Sequence, residues 1–348
     1  MKRLVITMFV ILAAIPLTAQ LATQHLVRLN ESFRMAELLG PRVWRGFTAQ
    51  ESPVILIDGE HEYLLNSNDG PEGFTATTQT FRGRPVFSRP RVFPPELQAS
   101  FPAIGRPAVV IGTPEGTGTE PGVWTIVVLH ELFHVYAFGH GEMEKVAMLA
   151  IGPSNDGQWQ LTYPFPYTDA QVRRAMHLAG HDLYRCIASD EELPYEANVA
   201  DEAIRTFGDL LYAAYPGTKD YAYAQFVVTK EGVARYFEYR IAALAAREYT
   251  PLAAYAALDG ADAFAKAWES RYKSMPFQIK QLGNVSQSRN EFYNLGLGMA
   301  LLLDRVSPGW QEEYFAPGLW LDDLLHEAAE KVKAANACPL PAAITPHS

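Results

Sequence analysis

The chain predicts an α+β fold in which a small, twisted, mostly antiparallel sheet precedes a large helical body. Two observations carry this. Between residues 53 and 111 the apolar residues come in short β-branched and aromatic runs separated by turn formers, and from about residue 119 the apolar spacing becomes helical almost to the C-terminus. A 348-residue chain that is 48% hydrophobic and 20% charged has an ordinary globular composition, with enough length for a large core or for two lobes sharing an interface.

The first nineteen residues are expected to be a secretory signal: Lys2 and Arg3, an apolar run over 4–17, then the small residues Thr18 and Ala19. The apolar run is shorter than the ~20 residues a spanning helix needs, so the mature chain is expected to start at Gln20, without a membrane anchor, in a secreted or periplasmic location. After the signal comes a helix over 26–39, with Leu29, Phe33, Met35, Leu38 and Leu39 on one face and a stop at Gly40 and Pro41. Strands follow at 53–57, 61–65, 75–81, 85–92 and 108–111, with Asp58 and Gly59 marking a hairpin. The turn-forming stretch 112–118 closes a β-rich N-terminal lobe spanning 20–118. The helical lobe, 119–348, holds predicted helices at 121–138, 169–188, 198–214, 221–248, 251–272, 289–306 and 321–335. Its most apolar piece, 295–303, is bounded by Glu291 and Asp304 and reads as a buried core helix.

Lys plus Arg number 29 against 39 Asp plus Glu, a formal charge of -10, which repels phosphate backbones and excludes nucleic acid as an expected partner. Removal of Lys2 and Arg3 makes the mature chain more acidic still. The two cysteines, Cys186 and Cys338, are too few for a disulfide scaffold or a thiolate metal cluster. Whether they pair is left open, because pairing is not encoded in sequence spacing.

The chemistry is concentrated in the pattern H-E-x-x-H, formed by His130, Glu131 and His134 within the apolar helix 121–138. Thr119 is the expected N-cap, with Glu120 and Pro121 in the first turn. Four residues advance a helix by ~400°, so the two imidazoles leave nearly the same face one turn apart and can share one Zn²⁺. Glu131, ~100° around, then stands beside the metal as a general base for water. Ionisable residues on so apolar a helix are costly without a metal or hydrogen-bond partners.

A catalytic zinc site needs a third protein ligand. Downstream, Glu231, Gly232, Ala234, Tyr236, Glu238 and Tyr239 spell E-G-x-A-x-Y-x-E-Y in a helical stretch. Together with H-E-x-x-H, this run resembles the glutamate-zincin metallopeptidases, and especially their aminopeptidase branch. The resemblance implies a zincin-like fold with the metal cleft between the sheet lobe and the helical lobe. It implies Glu231 as the third zinc ligand, and Gly232 and Ala234 as small residues that let the second helix approach the first. The chain departs from the aminopeptidases in placing Glu231 on a much later helix and in lacking a G-x-M-x-N block, so the resemblance is to the broad architecture and to no specific family.

His140 is an alternative third ligand, because His130, His134 and His140 resemble the metzincin pattern H-E-x-x-H-x-x-G-x-x-H with Ala137 in place of its glycine. A Cβ there makes the helix break costly, and Gly139 comes two residues late. Among the nine histidines, His177 and His181 are also four apart on a predicted helix but have no acid between them. Tyr293 is a candidate donor to the oxyanion formed beside the metal. The expected function is a secreted zinc-dependent hydrolase, most simply a peptidase acting on a peptide or protein substrate, with segment 108–111 as the sheet edge that receives an extended peptide. Hydrolysis of a non-peptide amide or ester would use the same residues, and an inactive zincin fold used for binding is the rival of another class.

Overall fold

The strands form one mixed six-stranded sheet in the computed structural model, which describes residues 20–149, 151–152, 158–188, 194–215, 217–284 and 288–337. Across the sheet lie β3 (Thr75–Phe81), β4 (Arg84–Pro90), β2 (His61–Leu65), β1 (Val54–Asp58), β6 (Ala108–Gly112) and β5 (Gln98–Phe101). Only β1 and β6 pair in parallel; the other pairs are antiparallel. Side chains alternate between the two faces. Val54, Leu56, Val109 and Ile111 join the main core beneath the helices, while Ile55, Ile57, Leu64 and Val110 form a second, smaller cluster with Phe87 and Phe101 packed on it.

Segment 108–111, expected at the sheet edge, is interior. It is enclosed between β1 and β5, and all five residues of β6 are buried. The edge on this side of the sheet is β5, which shows no strand pattern in sequence because Gln98, Ala99 and Ser100 include no β-branched residue. The approach to β5 is held by the buried Glu62, whose carboxylate accepts from the backbone N–H of Val92 and Phe93 and from Arg89.

The helices are α1 (Thr23–Val43), α2 (Pro114–Thr117), α3 (Pro121–Phe138), α4 (Glu142–Met148), α5 (Ala170–Ala188), α6 (Pro194–Ala214), α7 (Asp220–Glu248), α8 (Ala253–Asp259), α9 (Ala263–Ala267), α10 (Met275–Ile279), α11 (Asn290–Val306) and α12 (Leu321–Ala337). Three local expectations need correction. The first helix continues past Gly40 and Pro41 to Val43: Gly40 is a packing residue, because the Phe47 ring lies where its Cβ would stand. The expected helix 251–272 is broken at Gly260, whose φ of +96° is left-handed, and finishes as a π-helical turn, Trp268–Tyr272. Glu120, not Thr119, caps α3, accepting from Val123 N–H at 2.9 Å, while Thr119 is bonded by Gln98 of the edge strand.

Helix α3 is apolar over most of its surface because the sheet, α1, α7 and α9 pack around it. Trp124 ties it to the end of β6 by donating to Gly112 O at 2.7 Å. No single helix among the described residues is long and apolar enough to cross a membrane; α3 and the short α4 pass such a test only as a pair bent by 72°. The apolar stretch 295–303 lies in α11, almost wholly buried. The proposed signal at 1–19 and Cys338 fall outside the described residues, so neither cleavage nor pairing with the buried Cys186 is addressed by the fold.

Candidate metal centre

The i, i+4 spacing on α3 puts His130 and His134 side by side, ring centroids 4.9 Å apart, facing α7. Glu231 and Glu238 are seven residues apart on α7, two turns and nearly the same face, so both carboxylates look back at α3. Glu231 Oε2 lies 3.2 Å from His134 Nε2 and 3.6 Å from His130 Nε2, and the two nitrogens are 3.2 Å apart. All three residues are buried.

A tetrahedral ion holding such ligands at ~2.0–2.1 Å would separate them by ~3.3 Å, so this triangle has the dimensions of three corners of a metal site. The group of His130, His134 and Glu231 could therefore hold a metal ion. His130 Nδ1 lies 3.1 Å from Glu238 Oε2, an arrangement that would hold the proton on Nδ1 when a metal ion displaces the one on Nε2. His134 Nδ1 is buried without a hydrogen-bond partner among the described residues.

Charges around the triangle are paired in a definite order. Glu231 presents Oε2 to the imidazoles and uses Oε1 to accept from Lys230 at 3.0 Å and Arg289 at 2.8 Å. Burial pushes this carboxyl up, but Lys230 and Arg289 outweigh it and hold it well below the usual carboxylate range. Burial pushes both imidazoles down; Glu231 and Glu238 overcome this at His130, raised to about 9, whereas Lys230 adds to it at His134, lowered to about 3. One nitrogen of the facing pair thus stays unprotonated.

Glu131 leaves α3 toward the sheet. The Ser100 hydroxyl of edge strand β5 lies 2.9 Å from its Oε2, and also 2.9 Å from its backbone oxygen. Burial pushes this carboxyl up, against the pull of His130. Two cavities of about 500 and 450 Å³ meet here, and Glu131, Tyr293 and Gln98 line both. The first reaches His130 and the second His134 and Glu231, so the cleft passes along the triangle between the sheet edge, α3, α7 and α11.

No family model, curated protein or solved structure matches the chain.

The five residues singled out in sequence as zinc ligands, base and oxyanion donor come together. Tyr293, on α11, stacks parallel to His130 with centroids 6.2 Å apart, and its hydroxyl accepts from Arg289 at 2.9 Å. His140 does not join them: it is exposed, donates to Tyr136 O from Nδ1 and lies against the Tyr136 and Phe315 rings. His177 and His181 sit on α5, bonded to Asn284 and Asp182. Gly232 has a different role from the one expected. It meets Gly296 of α11 and not α3, so what it permits is the close approach of the helix carrying Tyr293.

Sequence reasoning missed Ser100, Lys230, Arg235, Glu238 and Arg289 as parts of this environment. Glu238 was legible in principle from its seven-residue spacing after Glu231. Ser100 and Arg289 come from a weakly patterned strand and from a turn before α11, and nothing local marks them.

Proposed function

We propose that this chain is an exported zinc-dependent hydrolase, a peptidase of zincin-like architecture, with His130, His134 and Glu231 as the metal ligands. The observation that carries the proposal is Glu131: an acid outside the ligand triangle, held by Ser100 at the junction of two cavities that open on the same site. A structural metal site would have no use for it there.

Two imidazoles and one carboxylate are a donor set suited to zinc with a position left open. Bound there, zinc would supply Lewis acidity, polarising the scissile carbonyl and lowering the pKa of water toward neutrality. Glu131 accepts the proton of the attacking water and passes it to the leaving nitrogen. Ser100 orients that carboxylate, and Glu238 fixes the His130 tautomer. Tyr293, whose hydroxyl already accepts from Arg289, keeps its own proton to donate to the developing oxyanion. The unpaired side of β5 offers main-chain groups to an extended peptide by strand addition.

Metal analysis beside turnover of a mixed peptide library tests the reading. Glu131→Gln should keep about one zinc per chain and lose hydrolysis, while His130→Ala should lose the metal. Full activity without Glu131, or loss of zinc in that variant, overturns the assignment.

A further inference from the structure

We infer that the His130 half of the cleft recognises a carboxylate of the substrate, through Arg235 and Arg271. This inference rests on the proposed hydrolase and names its substrate class.

Arg235 (α7) and Arg271 (the π-helical turn) both line the cavity of about 500 Å³ that contains His130 and Glu131. Their nearest anion within the wall is Glu238, and its oxygens are already committed. Oε2 lies 3.1 Å from His130 Nδ1, and Oε1 accepts from the Tyr272 hydroxyl at 2.8 Å. Arg235 Nε is 3.4 Å from Oε2 and has no hydrogen-bond partner among the described residues, although it is buried. Arg271 Nη2 is 3.7 Å from Oε1, beyond hydrogen-bond reach. Two guanidinium groups thus face one carboxylate that bonds neither of them.

A buried N–H donor without an acceptor is unfavourable, and a guanidinium fork is satisfied best by a carboxylate. The N–H donors of these two forks remain for an incoming group. Gln98, Gln278 and Asn294 complete this wall with neutral amides. Arg271 is placed by a π-helical turn, a rare geometry that recurs at functional sites. The opposite half of the cleft is more apolar: Phe93, Leu97, Phe101, Phe138 and Met143 line it, and its cations Lys230 and Arg289 are bonded to Glu231. The preferred substrate carries an apolar side chain on the His134 side of the scissile bond and a carboxylate on the His130 side. That carboxylate is a free C-terminus or an acidic side chain.

The test uses N-acetylated peptides of Phe and Ala in matched sets: free C-terminus against C-terminal amide, and, in the amidated series, Glu against Gln in the last residue. The charged member should be turned over with at least ten-fold higher kcat/KM in one set, and which set responds identifies the source of the carboxylate. Arg271→Gln and, separately, Arg235→Gln should bring that ratio toward one. A ratio near one in the wild-type protein, or an unchanged ratio in both variants, overturns the inference. If no peptide is hydrolysed the proposed hydrolase fails instead. Calorimetric binding of the same sets to zinc-loaded Glu131→Gln protein then still decides the point, and equal affinities for acid and amide refute carboxylate recognition.

Discussion

Gly232 on α7 and Gly296 on α11 meet backbone to backbone: a Cβ on Gly296 would stand 2.6 Å from Gly232 Cα. Gly232 follows Glu231, and Gly296 lies one helical turn after Tyr293, so this contact sets how far the Glu231 carboxylate stands from the tyrosine and from Arg289. Gly296→Ala forces the helices apart and should cost about 1–3 kcal/mol, as overpacking of a tight core does. It should also weaken metal binding while every ligand is intact. Thermal unfolding and zinc titration read the two effects, and unchanged zinc affinity in a destabilised variant would separate the helix contact from the site.

The proposed ligand set predicts a graded series in metal affinity. Glu231→Ala should weaken zinc binding by orders of magnitude, because it removes a ligand and leaves Lys230 and Arg289 facing the imidazoles. Glu238→Gln should cost about 10–100-fold by releasing the His130 tautomer. His140→Ala should change nothing measurable. Competition with a chromophoric chelator orders the three, and a His140 effect equal to that of Glu231 would restore the metzincin arrangement.

Ser100→Ala removes the hydroxyl that positions Glu131 and should lower kcat by about ten-fold with zinc content unchanged. Tyr293→Phe should likewise lower kcat and leave KM nearly alone, since the hydroxyl is assigned to the transition state. Steady-state kinetics on one peptide substrate checks both. A rise in KM at constant kcat would assign Tyr293 to substrate binding.

Stability should carry the signature of Glu142, buried at the start of α4 with neither carboxylate oxygen hydrogen-bonded among the described residues. Burial pushes its carboxyl up to about 7, against Lys230 and Lys145 and with Glu231 reinforcing the rise. Unfolded, the group titrates near its usual 4.5, so the folded state binds the proton more tightly. Ionised Glu142 therefore costs stability above pH 7, and the cost fades as pH falls to about 4.5. Glu142→Gln should stabilise the protein at pH 8 by up to about 3 kcal/mol and by nearly nothing at pH 4. Denaturant unfolding at both pH values is the check; an equal difference at both would refute the buried charge.

What the sequence determined by itself is what a helix or a hairpin decides within a few residues. The bounds of α3 and the shared face of His130 and His134 follow from 3.6-residue periodicity, and the β1–β2 turn follows from Asp58 and Gly59. Strands-then-helices order was legible for the same reason. The partners across the site were not. Edge strand β5 exists because β6 supplies its hydrogen bonds, so Ser100 carries no local mark of its place beside Glu131. Gly232 signals a close approach without saying to which helix, and only packing chose α11. The break at Gly260 and the π-helical turn after it, which deliver Arg271 and Tyr272 to Glu238, run against an apolar pattern that reads as one continuous helix. Periodicity reports which side chains share a face; which faces meet is settled by burial of the whole chain at once, and that information is non-local.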